Sequence, residues 1–324
     1  MGFIIDHWDF TRSPAQRTTL SPSFAQETSI QAPSLQKHAI QSDHWYHCDR
    51  QHPDIRQWLL ENHIPPSTVK HLLASESRPS FHQYDDHHFM LILRGMNMNK
   101  DAAPEDMLSI RILFYHGALI STQKVSSHAI QHIQRKLLQQ QGPKQLSDLM
   151  IQIIEELNGN IDRHLESVEN RLNELTLENQ QQNVIPVQKT LLRVKRFIRP
   201  QQYALRDLAE SGVTLLTHHT HQLHYSLNNI TRINETMDFY LDELELLKEE
   251  WHQHHEETVS KNSYLFTVVA TIFLPLSFLT GLLGVNIGGI PGTESPMAFV
   301  WFCGLLLALC AIEWWILRRL RFVG

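Results

Sequence analysis

A short uncharged segment between two apolar runs carries the clearest chemistry of this chain. It reads FLTGLLGVNIGGIP from Phe278 to Pro291 and contains no charged residue. Gly284, Val285 and Asn286 offer backbone carbonyls and an amide oxygen at the point where a helix would end. Irregular backbone at a membrane boundary is tolerated only where it faces protein or water. The segment therefore indicates the mouth of a pore, with these three residues at its tip.

One carboxylate lies in the connector that contains this tip. Glu294 is the only charged residue between positions 284 and 296. Its negative charge could concentrate cations at the mouth through a screened surface field. The simpler interpretation is a solvated loop residue, and both remain open.

The first apolar run has a face of small and hydroxyl-bearing residues. They recur at helical intervals, as Ser260, Ser263, Thr267, Thr271, Ser277 and Gly281, with Leu274 between the last three. Small and hydroxyl residues let membrane helices pack closely, and they also line water-filled pores. Spacing alone favours neither interpretation, whereas the Asn286 tip favours a pore. Because two spans cannot enclose a conduit, a pore would require a ring of several chains.

Two histidine clusters are candidate metal ligands. Histidines three or four residues apart on a helix can share a metal ion. The candidates are His218 and His221 in one cluster and His252, His254 and His255 in the other. The second cluster is the better candidate, because it shortly precedes the first apolar run and would lie on the cytoplasmic side of the membrane, where a cation leaving the pore would pass. The whole chain has 21 histidines, however, and this general bias weakens the signal.

Other chemistries lack the residues they need. The sequence contains no GxSxG elbow, P-loop or HExxH motif. We therefore expect neither an enzyme nor a nucleotide-driven pump, and no prosthetic group. The net charge is −6 and no basic cluster resembles a nucleic-acid surface, so we expect no nucleic-acid partner.

Two apolar runs are long enough to cross a lipid bilayer. They cover residues 264–283 and 297–317, and about 20 residues span the hydrocarbon layer. A buried core hairpin is the less favoured alternative. Arg318, Arg319 and Arg321 follow the second run, while the connector contains no Lys or Arg. The positive-inside rule therefore predicts that both termini are cytoplasmic.

Composition divides the chain into four parts. A Ser-, Gln- and Pro-rich N-terminal arm, partly mobile, is expected over 1–42, and an α/β cytoplasmic domain over 43–143. A long-helix stalk would cover 144–263, followed by a transmembrane hairpin over 264–324 with an outer loop at 284–296. The fold class is thus an α+β cytoplasmic domain with a helical stalk and two membrane helices. Strands are expected at 43–48, 88–94, 107–115 and 118–123, and helices at 52–62, 67–74 and 126–140.

Long helices are predicted from position 145 onward. Apolar residues recur every three or four positions and form a seam along one helix face, at Ile154, Leu157, Ile161, Leu165, Val168, Leu172 and Leu175. Pro186 predicts the start of a second helix, because proline is tolerated in a first turn. A third helix is expected after Gly212, with a seam at Leu223, Leu227, Ile230, Asn234, Met237, Leu241, Leu244 and Trp251. It would continue without a break into the first span.

These features together resemble the CorA-type divalent metal ion transporter superfamily. The Gly284-Val285-Asn286 tip stands where its magnesium transporters usually have Gly-Met-Asn. The longer form GVNIGGIP is similar to the ZntB zinc transporter branch. Three cytoplasmic segments also resemble motifs of that branch, namely LASESRP at 73–79, LRGMN at 93–97 and EDMLSIR at 105–111.

The resemblance implies a homopentameric funnel with the first span lining the pore. It implies Zn²⁺ transport across a bacterial inner membrane, with uptake driven by a proton gradient. Carried over by residue, it places Gly284, Val285 and Asn286 at the selectivity tip and Leu274 and Ser277 on the pore face, with Leu274 as an apolar constriction. One alternative is a CorA-type channel for Mg²⁺, Co²⁺ or Ni²⁺. The other is a membrane-anchored scaffold that transports nothing.

Overall fold

The computed structural model describes residues 2–18, 39–174, 180–284 and 295–319. The chain divides into two compact units between residues 246 and 247. The elements of the first unit, in chain order, are β1 Ile4–Asp9, β2 Gln16–Arg17, β3 His44–Asp49, α1 Ile55–Glu61, α2 Pro66–Leu73, β4 Ser80–Gln83, β5 Phe89–Gly95, β6 Leu108–Tyr115, β7 Ala118–Gln123, α3 His128–Leu138, α4 Leu146–Asn173, α5 Gln180–Glu210 and a 3₁₀ helix Thr214–His219. Helix α6, Thr220–Leu283, begins in the first unit and ends in the second, which also contains α7, Ala298–Arg319.

A seven-stranded sheet forms the centre of the first unit. Its strand order is β2-β1-β3-β7-β6-β5-β4. The β3–β7 pair is parallel, and every other neighbouring pair in the sheet is antiparallel. Helices α1 and α2 cover one face, and α3, α4 and α5 contribute to the core on the other. On β5, Leu91 and Leu93 face one core while Met90 and Ile92 face the other. Burial on both faces explains why this strand reads as an unbroken apolar run.

The first strand lies in the segment that was expected to be an arm. Strand β1 pairs with β2 and β3, so residues 4–9 and 16–17 belong to the sheet. Its buried carboxylate is satisfied inside the fold: Asp6 accepts hydrogen bonds from Trp8 Nε1 at 2.7 Å and from Arg17 Nε at 2.6 Å. The sequence analysis missed this strand, because the alternation of IIDHWD is broken by Asp6 and His7. Residues 19–38, the rest of the expected arm, lie outside the described part of the chain.

The other predicted elements of the α/β domain are confirmed with small shifts at their ends. Strand β7 has the predicted bounds, and β3, β5 and β6 each begin one residue later than predicted. Helix α1 begins at Ile55 rather than residue 52, and α3 covers the middle of its predicted range. The sequence analysis missed the short edge strand β4, which pairs with β5 alone.

Helix α5 contradicts the prediction that Pro186 starts a helix. Both Pro186 and Pro200 lie inside α5. Each proline removes one backbone hydrogen bond from the helix. The buried side chains nevertheless keep their three- or four-residue spacing past both prolines, at Val184, Val187, Leu191, Val194, Ile198, Gln201, Leu205 and Leu208. Tertiary packing of this apolar face therefore offsets the lost bonds, as it does for most helices in proteins.

The seams of the long helices largely match their predictions. All described members of the α4 seam are buried. On α6, Leu223, Ile230, Met237 and Leu244 are buried as expected, and Leu227 and Leu241 are partly buried against the same core. The sequence analysis missed Ile233 and Tyr240, which are also buried. Gly212 adopts a positive φ of 65° after α5, as expected for a helix end.

A buried amide network joins helices α4, α5 and α6 to strand β5. Gln201 Nε2 donates to Asn158 Oδ1 at 3.2 Å, and Gln201 Oε1 accepts from the backbone N–H of Arg94 at 2.7 Å. Asn158 Nδ2 in turn donates to Ser226 O at 3.3 Å. Asn158 and Gln201 are almost fully buried. Because buried polar groups lose water, each of these atoms needs its partner.

We expect Gln201→Leu to lower the free energy of unfolding by about 1–3 kcal/mol, because it leaves the Arg94 N–H and Asn158 Oδ1 buried without partners. Denaturant unfolding of the full chain in detergent, followed by tryptophan fluorescence, would measure the change. Gln57→Leu is the control, since Gln57 is exposed on α1, and it should change stability by less than about 0.5 kcal/mol. Equal effects of the two substitutions would show that the network contributes nothing.

Candidate functional site

The small and hydroxyl residues singled out in the first span all lie on helix α6. They share one face, because a rotation of 100° per residue places them within an arc of roughly 120°. All of them are exposed in the chain: Ser260, Ser263, Thr267, Thr271, Leu274, Ser277 and Gly281. We call this set the hydroxyl face. Nothing within the described chain covers it, so it is available to water, lipid or a second copy.

Threonine hydroxyls on this face are bonded to the backbone of the preceding turn. Thr267 Oγ1 donates to Ser263 O at 2.9 Å, and Thr271 Oγ1 donates to Thr267 O at 2.8 Å. A hydroxyl has one donor and two acceptor lone pairs. Because the proton is used within the helix, the free lone pairs are acceptors only. This arrangement suits contact with a hydrated cation, and it also satisfies the donor in an apolar medium.

Thr280 has the same local geometry on a different side of the helix. Its Oγ1 donates to Leu276 O at 2.9 Å and to Ser277 O at 3.1 Å. It lies roughly 100° away from the line through Ser263 and Gly281. Thr271 and Thr280 therefore form a matched pair that differs in helix face rather than in local bonding.

Leu274 is the one large apolar member of this set, and Phe278 also falls within the same arc. Its side chain is 73% exposed. Each turn above and below it carries a small or hydroxyl residue, Thr271 and Ser277. A ring of such leucines around an axis would form a narrow apolar segment, which is how hydrophobic gates close pores by dewetting. This role stays a prediction.

The selectivity tip is only partly within the described chain. Helix α6 ends at Leu283, and the N–H of Gly284 donates to Thr280 O at 2.9 Å. A Cβ at position 284 would lie 3.0 Å from Thr280 O, closer than an ordinary contact, which favours glycine there. Val285, Asn286 and Glu294 lie outside the described residues. Their roles stay predictions.

The histidine clusters do not form a complete metal site within the described residues of one chain. His218 and His221 are exposed, as are His252, His254 and His255. The His255 ring stacks on Trp251 with 5.6 Å between centroids. Across residues 2–18, 39–174, 180–284 and 295–319, no group of three or more His, Cys, Asp or Glu residues could hold a metal ion. Metal binding by these clusters stays a prediction.

The apolar parts of α6 and α7 are unburied in the chain. Both helices are long and apolar enough to cross a membrane, and the apolar windows are not covered by other parts of the described structure. Large side chains such as Phe266 and Trp301 are 77% and 78% exposed. A soluble core helix would be covered, and apolar patches of this extent mark a lipid or protein contact. The two predicted spans are therefore present as exposed apolar helices.

The sequence analysis overlooked a group of cations in the first unit. The cations Arg50, Lys124 and Arg196 had no sequence signal of their own, since they come from separate parts of the chain.

Known proteins are similar to this chain over most or all of its length. The zinc transport protein ZntB of Vibrio parahaemolyticus is 56% identical over 325 residues, covering 100% of this chain and 98% of that protein. The divalent cation transporter CmaX of Pseudomonas aeruginosa is 28% identical over 289 residues, covering 86% of this chain and 87% of that protein. Both names describe transporters.

Solved structures share the fold. The crystal structure of the ZntB cytoplasmic domain from Vibrio parahaemolyticus has a TM-score of 0.72 at 53% identity, covering 79% of this chain and 100% of that chain. The structure of the CorA magnesium transporter from Methanocaldococcus jannaschii has a TM-score of 0.76 at 15% identity, and the match covers 100% of this chain and 100% of that chain. The predicted CorA-like fold is confirmed.

The family assignment rests on the sequence as well as on the fold. The sequence model of one family matches residues 41–319, which include every element from β3 to α7. This chain belongs to the CorA-like Mg²⁺ transporter protein family.

Proposed function

We propose that several copies of this chain form a pore that carries Zn²⁺ across the bacterial inner membrane. The observation that carries the choice of ion is the 56% identity, over the full chain, to a protein named for zinc transport. Family membership supports a divalent cation in general. The proposed assembly is a homopentamer in which the hydroxyl face of α6 lines the axis.

The hydroxyl face supports the pore role in physical terms. Each copy would contribute acceptor oxygens at successive turns, through Ser263, Thr267, Thr271 and Ser277. In the proposed arrangement, Gly284, Val285 and Asn286 form the outer mouth, where an amide oxygen from each copy holds a cation with its water shell. No Asp or Glu lies on this face of the span, so the cation would keep much of its hydration. Hydrogen bonding to a hydrated ion does not require stripping of its water.

The two ends of α7 support an orientation with both termini in the cytoplasm. The Arg319 guanidinium lies 5.1 Å from the Trp315 ring centroid. Tryptophan and arginine at the end of an apolar helix are typical of a membrane interface. Arg319 follows the second span, whereas the connector contains no Lys or Arg. The connector would therefore face the periplasm. In the proposed transport, a proton gradient across the membrane drives uptake into the cytoplasm.

The choice of ion is tested by flux into proteoliposomes that contain a zinc- or magnesium-sensitive dye. We expect Zn²⁺ flux well above Mg²⁺ flux, and faster Zn²⁺ entry when the outside is made acidic. Empty liposomes are the control. High Mg²⁺ flux without Zn²⁺ flux would overturn the zinc proposal and favour the CorA-type alternative. Flux of neither ion would favour a scaffold, and indifference to the pH gradient would remove proton coupling.

The hydroxyl face is tested with the matched threonines. We expect Thr271→Val to lower Zn²⁺ flux by about two- to tenfold, because one acceptor worth about 0.5–1.5 kcal/mol is lost at each copy. Thr280→Val loses the same hydroxyl on another face of the helix and should leave flux within about twofold. If both substitutions lower flux equally, or neither does, the hydroxyl face serves helix packing rather than conduction.

The tip is tested with Asn286→Ala in the same assay. Loss of the amide oxygen from every copy should lower Zn²⁺ flux by about tenfold or more, while the size of the assembly stays unchanged. Asn262→Ala is the control, because Asn262 is exposed on α6 away from the hydroxyl face. Normal flux through the Asn286 variant would contradict a selective role for the tip.

A further inference from the structure

A cationic cavity lies in the first unit. It has a volume of about 620 Å³, within the range of small-molecule sites. Six separate parts of the chain meet there: the ends of β3 and β7, the α2–β4 connection, the end of β5, the start of β6, and α5. The lining residues are Arg50, Ser75, Glu76, Ser77, Arg78, Arg94, Met107, Leu108, Ser109, Lys124, Val125, Arg196 and Phe197.

The three cytoplasmic segments that the sequence analysis singled out form much of its wall. Arg94 ties them together. Its Nη2 donates to Ser77 O at 2.6 Å, and its Nη1 donates to Met107 O at 2.9 Å. Ser77 Oγ and Ser109 Oγ are 3.3 Å apart, which closes the contact between the first and third segments. The proposed pore uses none of these residues.

The charge of the cavity is strongly unbalanced. Five cationic side chains line it, from Arg50, Arg78, Arg94, Lys124 and Arg196, against the single carboxylate of Glu76. Within the described part of the chain, none of these five cations forms an ion pair within 4.0 Å. Like charges repel, and solvent exposure of Arg78, Lys124 and Arg196 weakens the repulsion among those three. Arg50 and Arg94 are half-buried, so their mutual repulsion is stronger, and an anion in the cavity would relieve it.

Two lining arginines carry unused donors. Arg50 Nη1 and Arg94 Nε are buried and have no hydrogen-bond partner in the described structure. Arg111 does not line the cavity but is fully buried next to it: its Nη2 also has no partner there, and its Nε lies 3.5 Å from Ser109 Oγ of the cavity wall. Burial, followed by repulsion from Arg50 and Arg94, lowers the pKa of Arg111 to about 10. Burial and repulsion from Arg50 and Arg196 also lower the pKa of Arg94.

Two guanidinium groups are held in place by an aromatic ring. Arg94 Cζ lies 4.6 Å from the Phe197 ring centroid, and Arg196 Cζ lies 5.5 Å from it. Cation–π contacts of this kind fix the position of a planar guanidinium. A fixed guanidinium fork matches the oxygen geometry of phosphate and forms bidentate hydrogen bonds with it.

We propose that this cavity binds a small molecule that carries at least two phosphate groups. The excess of four positive charges, from five cations and one carboxylate, matches two phosphates, each with a charge of about −1.5 to −2. One phosphate would leave part of the cavity and part of its charge unused. Inorganic pyrophosphate and a nucleoside polyphosphate share this chemistry. Met107, Leu108 and Val125 add apolar lining that an organic group could contact. The site is independent of which ion the pore carries.

The proposal is tested by calorimetric titration of the full-length protein in detergent with pyrophosphate and, separately, with ATP. We expect saturable binding that Arg196→Gln and Lys124→Gln each weaken by about tenfold. Both side chains are exposed, so these variants should fold. Arg199→Gln is the matched control, because Arg199 lies one turn further along α5 and does not line the cavity. It should bind as the unchanged protein does.

Comparison of the two probes distinguishes a nucleotide ligand from an inorganic one. Tighter binding of ATP than of pyrophosphate would support a nucleotide, and equal binding would support the inorganic ligand. The proposal is overturned if neither probe binds, if sulfate binds as tightly as pyrophosphate, or if Arg196→Gln binds like Arg199→Gln. Thermal unfolding with and without pyrophosphate provides a second readout, with a rise in Tm expected only where binding is retained.

Discussion

The exposed apolar surface of the two C-terminal helices is the constraint on which the functional account depends. Helix α7 and the second half of α6 bury none of their most apolar residues within the described chain. Such surface is stable only against lipid or protein. Lipid would satisfy most of it, but the hydroxyl face of α6 has oxygen acceptors at four turns. Two helices cannot surround an axis by themselves, so this face meets water only if several copies close around it. The proposed pore, assembled from several copies, depends on that requirement.

The first unit combines a well-buried core with a cavity whose charges are unbalanced. Its sheet is covered on both faces, and buried amides join the long helices to β5. Some buried polar atoms of this unit have no hydrogen-bond partner within the described residues, among them Thr122 Oγ1, Gln152 Oε1 and Asn234 Oδ1. The cationic cavity differs in that its unused donors belong to Arg50 and Arg94, and in that its five cations face a single carboxylate. Unfavourable arrangements of charge tend to persist at functional sites. A phosphate-bearing ligand would supply the missing acceptors and would give the first unit a binding function separate from the proposed pore.

The sequence predicted those parts of the fold whose stability is local or fully buried. Strands β5, β6 and β7 were found because burial on both faces produces continuous apolar runs, and the α4 seam was found from its helical spacing. Strand β1 was missed, since its burial comes from pairing with β3, some 40 residues away, and Asp6 finds its partners only in the folded chain. Pro186 was misjudged for a related reason: a proline signal is local, whereas the packing that overrides it is not. The hydroxyl face could be read from spacing along one helix. The cationic cavity could not, because Arg50, Lys124 and Arg196 are brought together only by the fold.

The central claim is that copies of this chain close around an axis lined by α6. Native mass spectrometry of the full-length protein, released from lipid nanodiscs, tests it most directly because it counts the copies. The account predicts a single species with the mass of five chains, about 189 kDa from 37.7 kDa each. A species of one or two chains under the same conditions would contradict it, because so few spans cannot enclose a water-filled path.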